Sequence, residues 1–419
     1  MRSLSMAALA MILAGGEGTR LMPLTSCRSK PAVPFGGSYR LIDFVLNNFV
    51  NSGIIKIFVI TQYKSQSLLM HLKKGWQVSG IYGAFIDSLP AQMRVSKEWY
   101  QGTADAIYQN LTFIKEQFPD HVCIFGSDHI YKMNIRDMLT YHKNIDADLT
   151  VAAIRMKSSE CAGKFGVIEV DENNKMIGFE EKPAHPKELP NHPGYSLVSM
   201  GNYIFKADVL CNELVEDEQD KNSSHDFGKD IIPKMFPRGN VYVYDFSEIE
   251  IEGEKDFAYW RDVGSIDSYW EAHMDLLGNK PKFNLQNPKW PLHTFYPPLP
   301  PADFTDTDDN ESHVSMSLIS AGCKINGATI NKSVLGFRCT AGDGAMVEGS
   351  VLIGDNIIGK GAKIKNVILD RHVEIAPGFE IGYDREKDQK LLENEKNSMI
   401  TISKNGIIVV PKGMRLGFD

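Results

Sequence analysis

The 419-residue chain has no dense block of lysine and arginine; its 45 basic residues face 53 acidic ones, for a net charge of -8. Nucleic-acid binding relies on clustered positive charge, so no nucleic-acid partner is expected. Long apolar runs are missing too. The N-terminal one, Met6 to Ala14, ends at a glycine loop, well short of the roughly 20 residues of a membrane span, and no small-residue cleavage site follows it. No membrane association and a cytoplasmic location are therefore expected. The six cysteines (27, 123, 161, 211, 323 and 339) form no C-x-x-C pair and no close Cys/His cluster. Disulfide frameworks and thiolate metal sites lose support accordingly, and Cys123 and Cys161 read as small buried hydrophobes.

What is present suits a globular protein: 43% of residues are hydrophobic and 23% charged, enough to bury a large core. The length implies two or three domains. Through residue 287, apolar runs alternate with amphipathic ones: "ALAMIL", "RLIDFVLNNFV", "IIKIFVIT", then Ile107, Leu111, Ile114 and Phe118 at helical spacing, then "HVCIF" and "LTVAAI". This rhythm predicts an α/β, Rossmann-like, mostly parallel sheet with helices on both faces, and ligands beyond the carboxyl ends of its strands. "FGVIEVDENNKMIGFEEKP" breaks the rhythm and reads as a hairpin laid over the sheet. Residues 288–312, with "PKWPLHTFYPPLPP" and the acidic "DFTDTDDNES", read as a semi-rigid linker.

From 313 to 419 the pattern changes. Aliphatic residues recur at a spacing of six, as in Ile319 to Ile325, Ile358 to Ile364 and Ile375 to Ile381, with "LG" or "IG" at 335, 353, 358 and 381. A hexapeptide period of this kind predicts a parallel β-helix. Its slips by one residue require irregular turns, and its open end and flat faces favour burial against another subunit or the first domain.

Several stretches carry chemistry. "LAGGEGTR" leaves the first apolar run with consecutive unobstructed backbone N–H groups and Arg20 as a forked donor, either a nest for a polyphosphate or a tight turn beside a solvated arginine. "SKPAVPFGG" places Lys30 before a proline, in extended chain. "VCIFGSDHIY" puts Asp128 at the ligand edge of the sheet, as a magnesium ligand or a helix cap, with His129 read as structural. Asp262 in "YWRDVGS" is a second carboxylate or one arm of a loop ion pair. Glu180, Glu181 and Lys182 form a polar terminus or an exposed ion-pair cluster; Ser223 and Ser224 suit helix capping, with Asp226 and Phe227 free to face a sugar.

In order, "LAGGEGTRL", "SKPAVPFGG", "WYQGTADAIYQN", "GSDHIY", "EEKPA", "SHDFGKDIIP" and "YWRDVGS" closely resemble the bacterial ADP-glucose pyrophosphorylases, a family of sugar-phosphate nucleotidyltransferases, from about residue 7 to 415. The resemblance implies a nucleotidyltransferase domain followed by a left-handed parallel β-helix, transfer of an adenylyl group from ATP to glucose 1-phosphate for glycogen synthesis, Mg2+ as cofactor, and a homotetramer. It implies catalytic roles for Arg20, Lys30 and Asp128, with Asp128 and Asp262 on the metal. Leu13, Gly15, Gly16, Gly18, Thr19, Gln62 and Gly102 would meet the nucleotide. Tyr100, Gly166, Glu181, Lys182, Ser199, Tyr203, Asp226 and Trp260 would meet glucose 1-phosphate, Lys182 taking its phosphate. Sugar-phosphate or AMP effectors would bind Arg28, Arg40 and Arg371. Position 27 is cysteine where some relatives carry an effector-binding lysine, which implies a shifted effector preference.

Overall fold

The computed structural model describes residues 8–78, 80, 83–92, 99–254, 258–393 and 399–418. Residue 7, where the resemblance begins, and Met6 of the first apolar run lie outside them. Elements run in the order β1 (Ala8–Ala14), a hairpin of β2 (Pro34–Phe35) and β3 (Tyr39–Arg40), α1 (Leu41–Asn51), β4 (Lys56–Thr61), α2 (Gln66–Gly75), β5 (Phe85–Pro90), α3 (Thr103–Tyr108), α4 (Leu111–Gln117), β6 (His121–Gly126) and β7 (His129–Tyr131). There follow α5 (Ile135–Asn144), β8 (Leu149–Lys157), α6 (Ser158–Cys161), β9 (Gly166–Val170), β10 (Met176–Glu181), β11 (Tyr195–Lys206), α7 (Ala207–Glu218), α8 (Ile232–Met235), β12 (Val241–Asp245), β13 (Trp260–Asp262) and α9 (Ile266–Met274).

Nine of these strands form one sheet. β5, β4, β1 and β6 are parallel neighbours, β11 runs antiparallel to β6, and β11 also pairs with β8 and with the antiparallel β9–β10 hairpin, while β12 joins β8 in parallel. The expected mostly parallel sheet is present, and so is the hairpin, but it does not lie over the sheet: β9 pairs with β11 and the hairpin forms an edge of the sheet itself. The two-residue period of β1 explains its nearly unbroken apolar text. Ala10 and Ile12 enter one core with Val45, Leu46 and Phe49 of α1; Leu9 and Met11 enter the other with Ile107, Leu111 and Ile114. A strand covered on both faces needs apolar side chains at every position. The expected helix through Phe118 divides instead into α3 and α4 around Gln109 and Asn110, and Phe118 lies past its end in a left-handed conformation, 86% exposed.

The second half is a three-sided parallel β-helix. Its sheets stack Ile325, Ala341, Ile358, Ile375 and Leu416 on one side and Ile330, Val347, Ile364 and Ile381 on the next. The third stacks Leu335, Leu352, Leu369 and Val410. In the middle coils equivalent residues are 17 apart, as in Ala341, Ile358 and Ile375, one short of three hexads, so the sixfold spacing slips once in each of these coils. The first solenoid strand is Asp303–Thr305, paired with Lys324–Asn326, inside the stretch read as linker.

The proline-rich part of that stretch is docked as a strap on the first domain. Asn47 of α1 exchanges side-chain hydrogen bonds with the backbone of His293 (2.7 and 2.8 Å), Thr294 donates to Asp43 (2.6 Å), and Trp290 is buried. Asp43, fully buried, accepts three further hydrogen bonds, from the Arg40 N–H, His71 Nε2 and Trp76 Nε1. A buried carboxylate is tolerated only when its lone pairs are used. The domains then close on each other through an apolar seam in which Phe35, Phe44 and Tyr269 meet Val351, Ile353, Ile368 and Val409, and Trp270 Nε1 donates to the Gly349 carbonyl (2.7 Å).

Candidate active site

At the carboxyl edge of the sheet lies a cavity of about 770 Å³. β1 delivers the glycine loop to its rim. Gly18 is in the left-handed region (φ 65°), its carbonyl accepts from Thr25 Oγ1 (2.9 Å), and an added Cβ would stand 3.0 Å from Lys30 Cβ. Glycine is required there by both conformation and space. The turn that follows, Thr19–Leu21, leaves Arg20 exposed at the cavity.

β6, beside β1, ends in Gly126, and Ser127 Oγ ties the two strand ends by donating to the Leu13 carbonyl (2.6 Å). The chain then forms β7, which pairs antiparallel with β13 so that Asp262 stands opposite His129. This short ribbon brings Asp262 beside Asp128. Ligand atoms of Asp128, His129 and Asp262 lie within 4.8 Å of one another. Lys30, itself buried, bridges the two carboxylates, with Nζ 2.8 Å from Asp128 Oδ2 and 3.2 Å from Asp262 Oδ1. Burial alone would lower the Lys30 pKa, but the two facing carboxylates outweigh it and hold the ammonium above its ordinary value. Burial would likewise raise Asp128, and Lys30 and His129 pull it well below the usual carboxylate range.

The opposite wall comes from β9–β11 and the loop before α8. Glu181 at the end of β10 pairs with Lys182 (2.8 Å), which takes a left-handed conformation (φ 49°). β11 bulges between Ser199 and Tyr203 against β8, turning both side chains to the cavity. Asp226 Oδ1 accepts from the Gly228 and Lys229 N–H groups (2.9 and 3.1 Å), and Oδ2 from Thr103 Oγ1 (3.0 Å). Tyr100 accepts from Asn110 Nδ2 (2.9 Å), and Trp260 lies against His129 and Phe165.

The cavity thus gathers Leu13, Gly15, Gly16, Gly18, Thr19, Arg20, Lys30, Gln62, Tyr100, Gly102, Asp128, Gly166, Glu181, Lys182, Ser199, Tyr203, Asp226 and Trp260, and Asp262 adjoins it through Lys30. Phe227 does not face it; the ring is buried against Tyr203 and Phe205. Glu180 points to solvent. Sequence reasoning passed over Glu17, Thr103, Lys164 and Gly228, which also line the cavity. A lysine immediately before the hairpin was the available signal for Lys164.

Arg28, Arg40 and Arg371 are away from the cavity, at the seam between domains. Arg28 Nη2 reaches both oxygens of the fully buried Asp370 (3.0 and 3.1 Å). Arg40 Nη1 donates to the Ser67 carbonyl and hydroxyl (2.9 and 2.8 Å). The Arg40 pKa falls to about 10, first through burial and then through the charges of Arg371 and Arg28, so the three cations share one field.

The chain matches the family model described as "Nucleotidyl transferase" over residues 9–279 and the model "GlmU-like, C-terminal hexapeptide" over residues 300–410. It is 60% identical over 410 residues to "Glucose-1-phosphate adenylyltransferase" of Aliivibrio fischeri, covering 98% of this chain and 99% of that one. Identity is also 60% to "Glucose-1-phosphate adenylyltransferase 1" of Vibrio cholerae, with the same coverage. To "Glucose-1-phosphate adenylyltransferase" of an Anaeromyxobacter species it is 46% over 414 residues, 97% and 98% of the two chains.

Proposed function

Since the chain belongs to the glucose-1-phosphate adenylyltransferases of the nucleotidyl transferase family, we propose that its cavity is where ATP and α-D-glucose 1-phosphate are converted to ADP-glucose and pyrophosphate, the supply step for glycogen synthesis. The observation that carries this assignment is the placement of Lys30, Asp128 and Asp262 between the glycine loop on one wall and Glu181, Lys182 and Asp226 on the other.

The sugar phosphate is its own nucleophile. A phosphate monoester has a second pKa of about 6 and is largely ionised at neutral pH, so no general base is needed. The protein must align that oxygen with the α-phosphorus of ATP and stabilise charge as pyrophosphate departs. Backbone N–H groups of Gly15 to Gly18 take the triphosphate, with Arg20 and Lys30 supplying positive charge; Leu13, Thr19, Gln62 and Gly102 border the nucleoside. Glu181, Ser199 and Asp226 offer acceptors and a hydroxyl to the glucose ring, Lys182 meets its phosphate, and Tyr100, Gly166, Tyr203 and Trp260 close the walls.

The residues fit a divalent cation, which nucleotidyltransferases of this kind typically use. Two carboxylates face one another at close range and already hold a positive group between them, and hard oxygen donors in that number suit Mg2+. Asp128 and Asp262 would hold it, and when bound it neutralises phosphate charge.

We assign effector binding to the field shared by Arg28, Arg40 and Arg371. Arg28 is engaged by Asp370 and lies beside the exposed Cys27, and Arg40, held by Ser67, and Arg371, 4.0 Å from Asp355, would meet a phosphorylated effector. A homotetramer is supported by the solenoid's first coil, whose outer strands expose Phe304 and Val314, with Met316 exposed just beyond them; such edges call for cover. The cysteines are all free, which supports a reducing, cytoplasmic setting.

One experiment tests the reading: pyrophosphate release with each of four nucleoside triphosphates and several sugar 1-phosphates, with Mg2+, with and without sugar-phosphate and AMP effectors. ATP with glucose 1-phosphate is expected to be the best pair, and a different best pair ends the assignment. Light scattering on the same sample should give four chains per particle.

A further inference from the structure

His225 does not line the cavity, yet it connects the two loops that do. Its carbonyl accepts from the Ala104 and Asp105 N–H groups (2.8 and 3.3 Å), at the start of α3. Gly102 passes so close that an added Cβ would stand 2.1 Å from that carbonyl oxygen. The next residue, Asp226, receives Thr103 Oγ1 at 3.0 Å, and the same hydroxyl accepts from the Phe227 N–H at 3.0 Å. The nucleotide-side loop and the sugar-side loop are therefore stitched together around residues 225 and 226.

The stitch requires an unusual backbone. His225 has φ 54°, in the left-handed region that a non-glycine residue enters at a cost. Its side chain supplies the compensation. Nδ1 lies 2.8 Å from Oδ2 of Asp217, a carboxylate only 4% exposed that projects from α7. The other oxygen of Asp217 accepts from Ser223 Oγ (2.7 Å), and that hydroxyl accepts from the His225 N–H (2.9 Å). Imidazole, hydroxyl and backbone N–H all lead to one buried carboxylate, which fixes the peptide whose carbonyl holds α3.

We propose that the His225–Asp217 pair is a positioning element for the sugar side of the site: it sets Asp226 against Thr103 and so determines the affinity for glucose 1-phosphate without touching either substrate. The proposal rests on the assignment of the cavity to these substrates.

The groups facing His225 are Asp217 and Glu218 of α7, Asp220 beyond it, Asp105 of α3, Lys234 of α8 by way of Asp217, and Asp230 of its own loop. Burial alone would lower the His225 pKa; the hydrogen bond and charge of Asp217, with Glu218 and Asp105, outweigh it and hold the imidazole above its ordinary value. The charged form of the clamp is thus complete below the ordinary histidine pKa and is lost as pH rises through the raised one. A charge-assisted hydrogen bond is roughly twice as strong as a neutral one, so loosening on the alkaline side is a matter of a few-fold in KM.

The test compares the full-length protein with His225→Ala and His225→Asn. Asparagine tolerates the left-handed region and keeps an N–H donor; alanine does neither. His225→Ala is expected to raise KM for glucose 1-phosphate by about 10-fold or more, from loss of a hydrogen bond to a charged group, with KM for ATP changed less than about 2-fold. His225→Asn should recover most of that loss. It should also lack the alkaline rise in KM for glucose 1-phosphate that the unsubstituted protein shows over and above titration of the substrate. If His225→Ala loses activity outright, the shift in unfolding temperature on adding glucose 1-phosphate or ATP alone replaces the kinetics; loss of the first with retention of the second is the expected result. Equal effects on both substrates, or none on either, overturn the positioning role. If the unsubstituted protein forms no ADP-glucose, it is the cavity assignment that falls.

Discussion

Asp128→Ala is expected to cut turnover by about 10³-fold or more while the chain remains folded. Removing one element of electrostatic stabilisation from a preorganised site costs roughly 10²–10³, and Asp128 both organises Lys30 and is half of the carboxylate pair assigned to the cation. The fold should hardly register the change. The carboxylate is 33% exposed, and Lys30 keeps Asp262 at 3.2 Å, so the buried ammonium is not left without a counter-charge. Pyrophosphate release and thermal unfolding measured on one preparation decide the matter. Turnover within about 10-fold of the unsubstituted protein would remove Asp128 from the reacting centre, and a collapse of the unfolding temperature would make its role structural.

Gly102→Ala carries the second large expectation, a fall of about 10²-fold in kcat/KM for glucose 1-phosphate. The backbone there is extended, with φ -155° and ψ 179°, so alanine meets no conformational objection. The obstacle is space: the new Cβ would lie 2.1 Å from the His225 oxygen and 2.5 Å from that of Ser224. Both are main-chain atoms and cannot rotate aside. The loops must separate by about 1 Å, and a misplacement of that size is worth about 10²-fold in rate. Steady-state kinetics with each substrate varied in turn will check this. Normal kinetics in a folded Gly102→Ala protein would mean that the contact between the loops does not govern the site.

Much of this was legible beforehand because the physics is local. An apolar strand such as Leu9–Ile12 announces a sheet covered on both faces, and Asp128 just past a buried strand announces the ligand edge. The solenoid was legible from its period alone. What stayed hidden depends on contacts distant in sequence. Nothing near Asp262 says that it stands opposite His129; the β7–β13 register settles that. The sequence suggests capping by Ser223 and Ser224, with Asp226 free to face a sugar; the structure has Asp226 itself accepting two capping N–H groups while also lining the cavity. Phe227 looked free to meet a sugar because a pattern of residues does not reveal which side of a short turn is packed. The docking of the strap was hidden for a related reason: proline-rich composition reports stiffness and is silent about docking.

That strap alters the order in which the protein can be completed during synthesis. Asp43 lies early in the chain, but Thr294, one of its donors, is 251 residues further on. Until the ribosome has released that segment, a fully buried carboxylate lacks the fourth of its donors, the other three being Arg40, His71 and Trp76, and the apolar seam awaiting Val351 and Val409 stands open. N-terminal domains commonly finish folding before the chain behind them emerges. Here the contacts that complete the first domain, at Asn47, Asp43 and the apolar seam, are supplied from His293 onward.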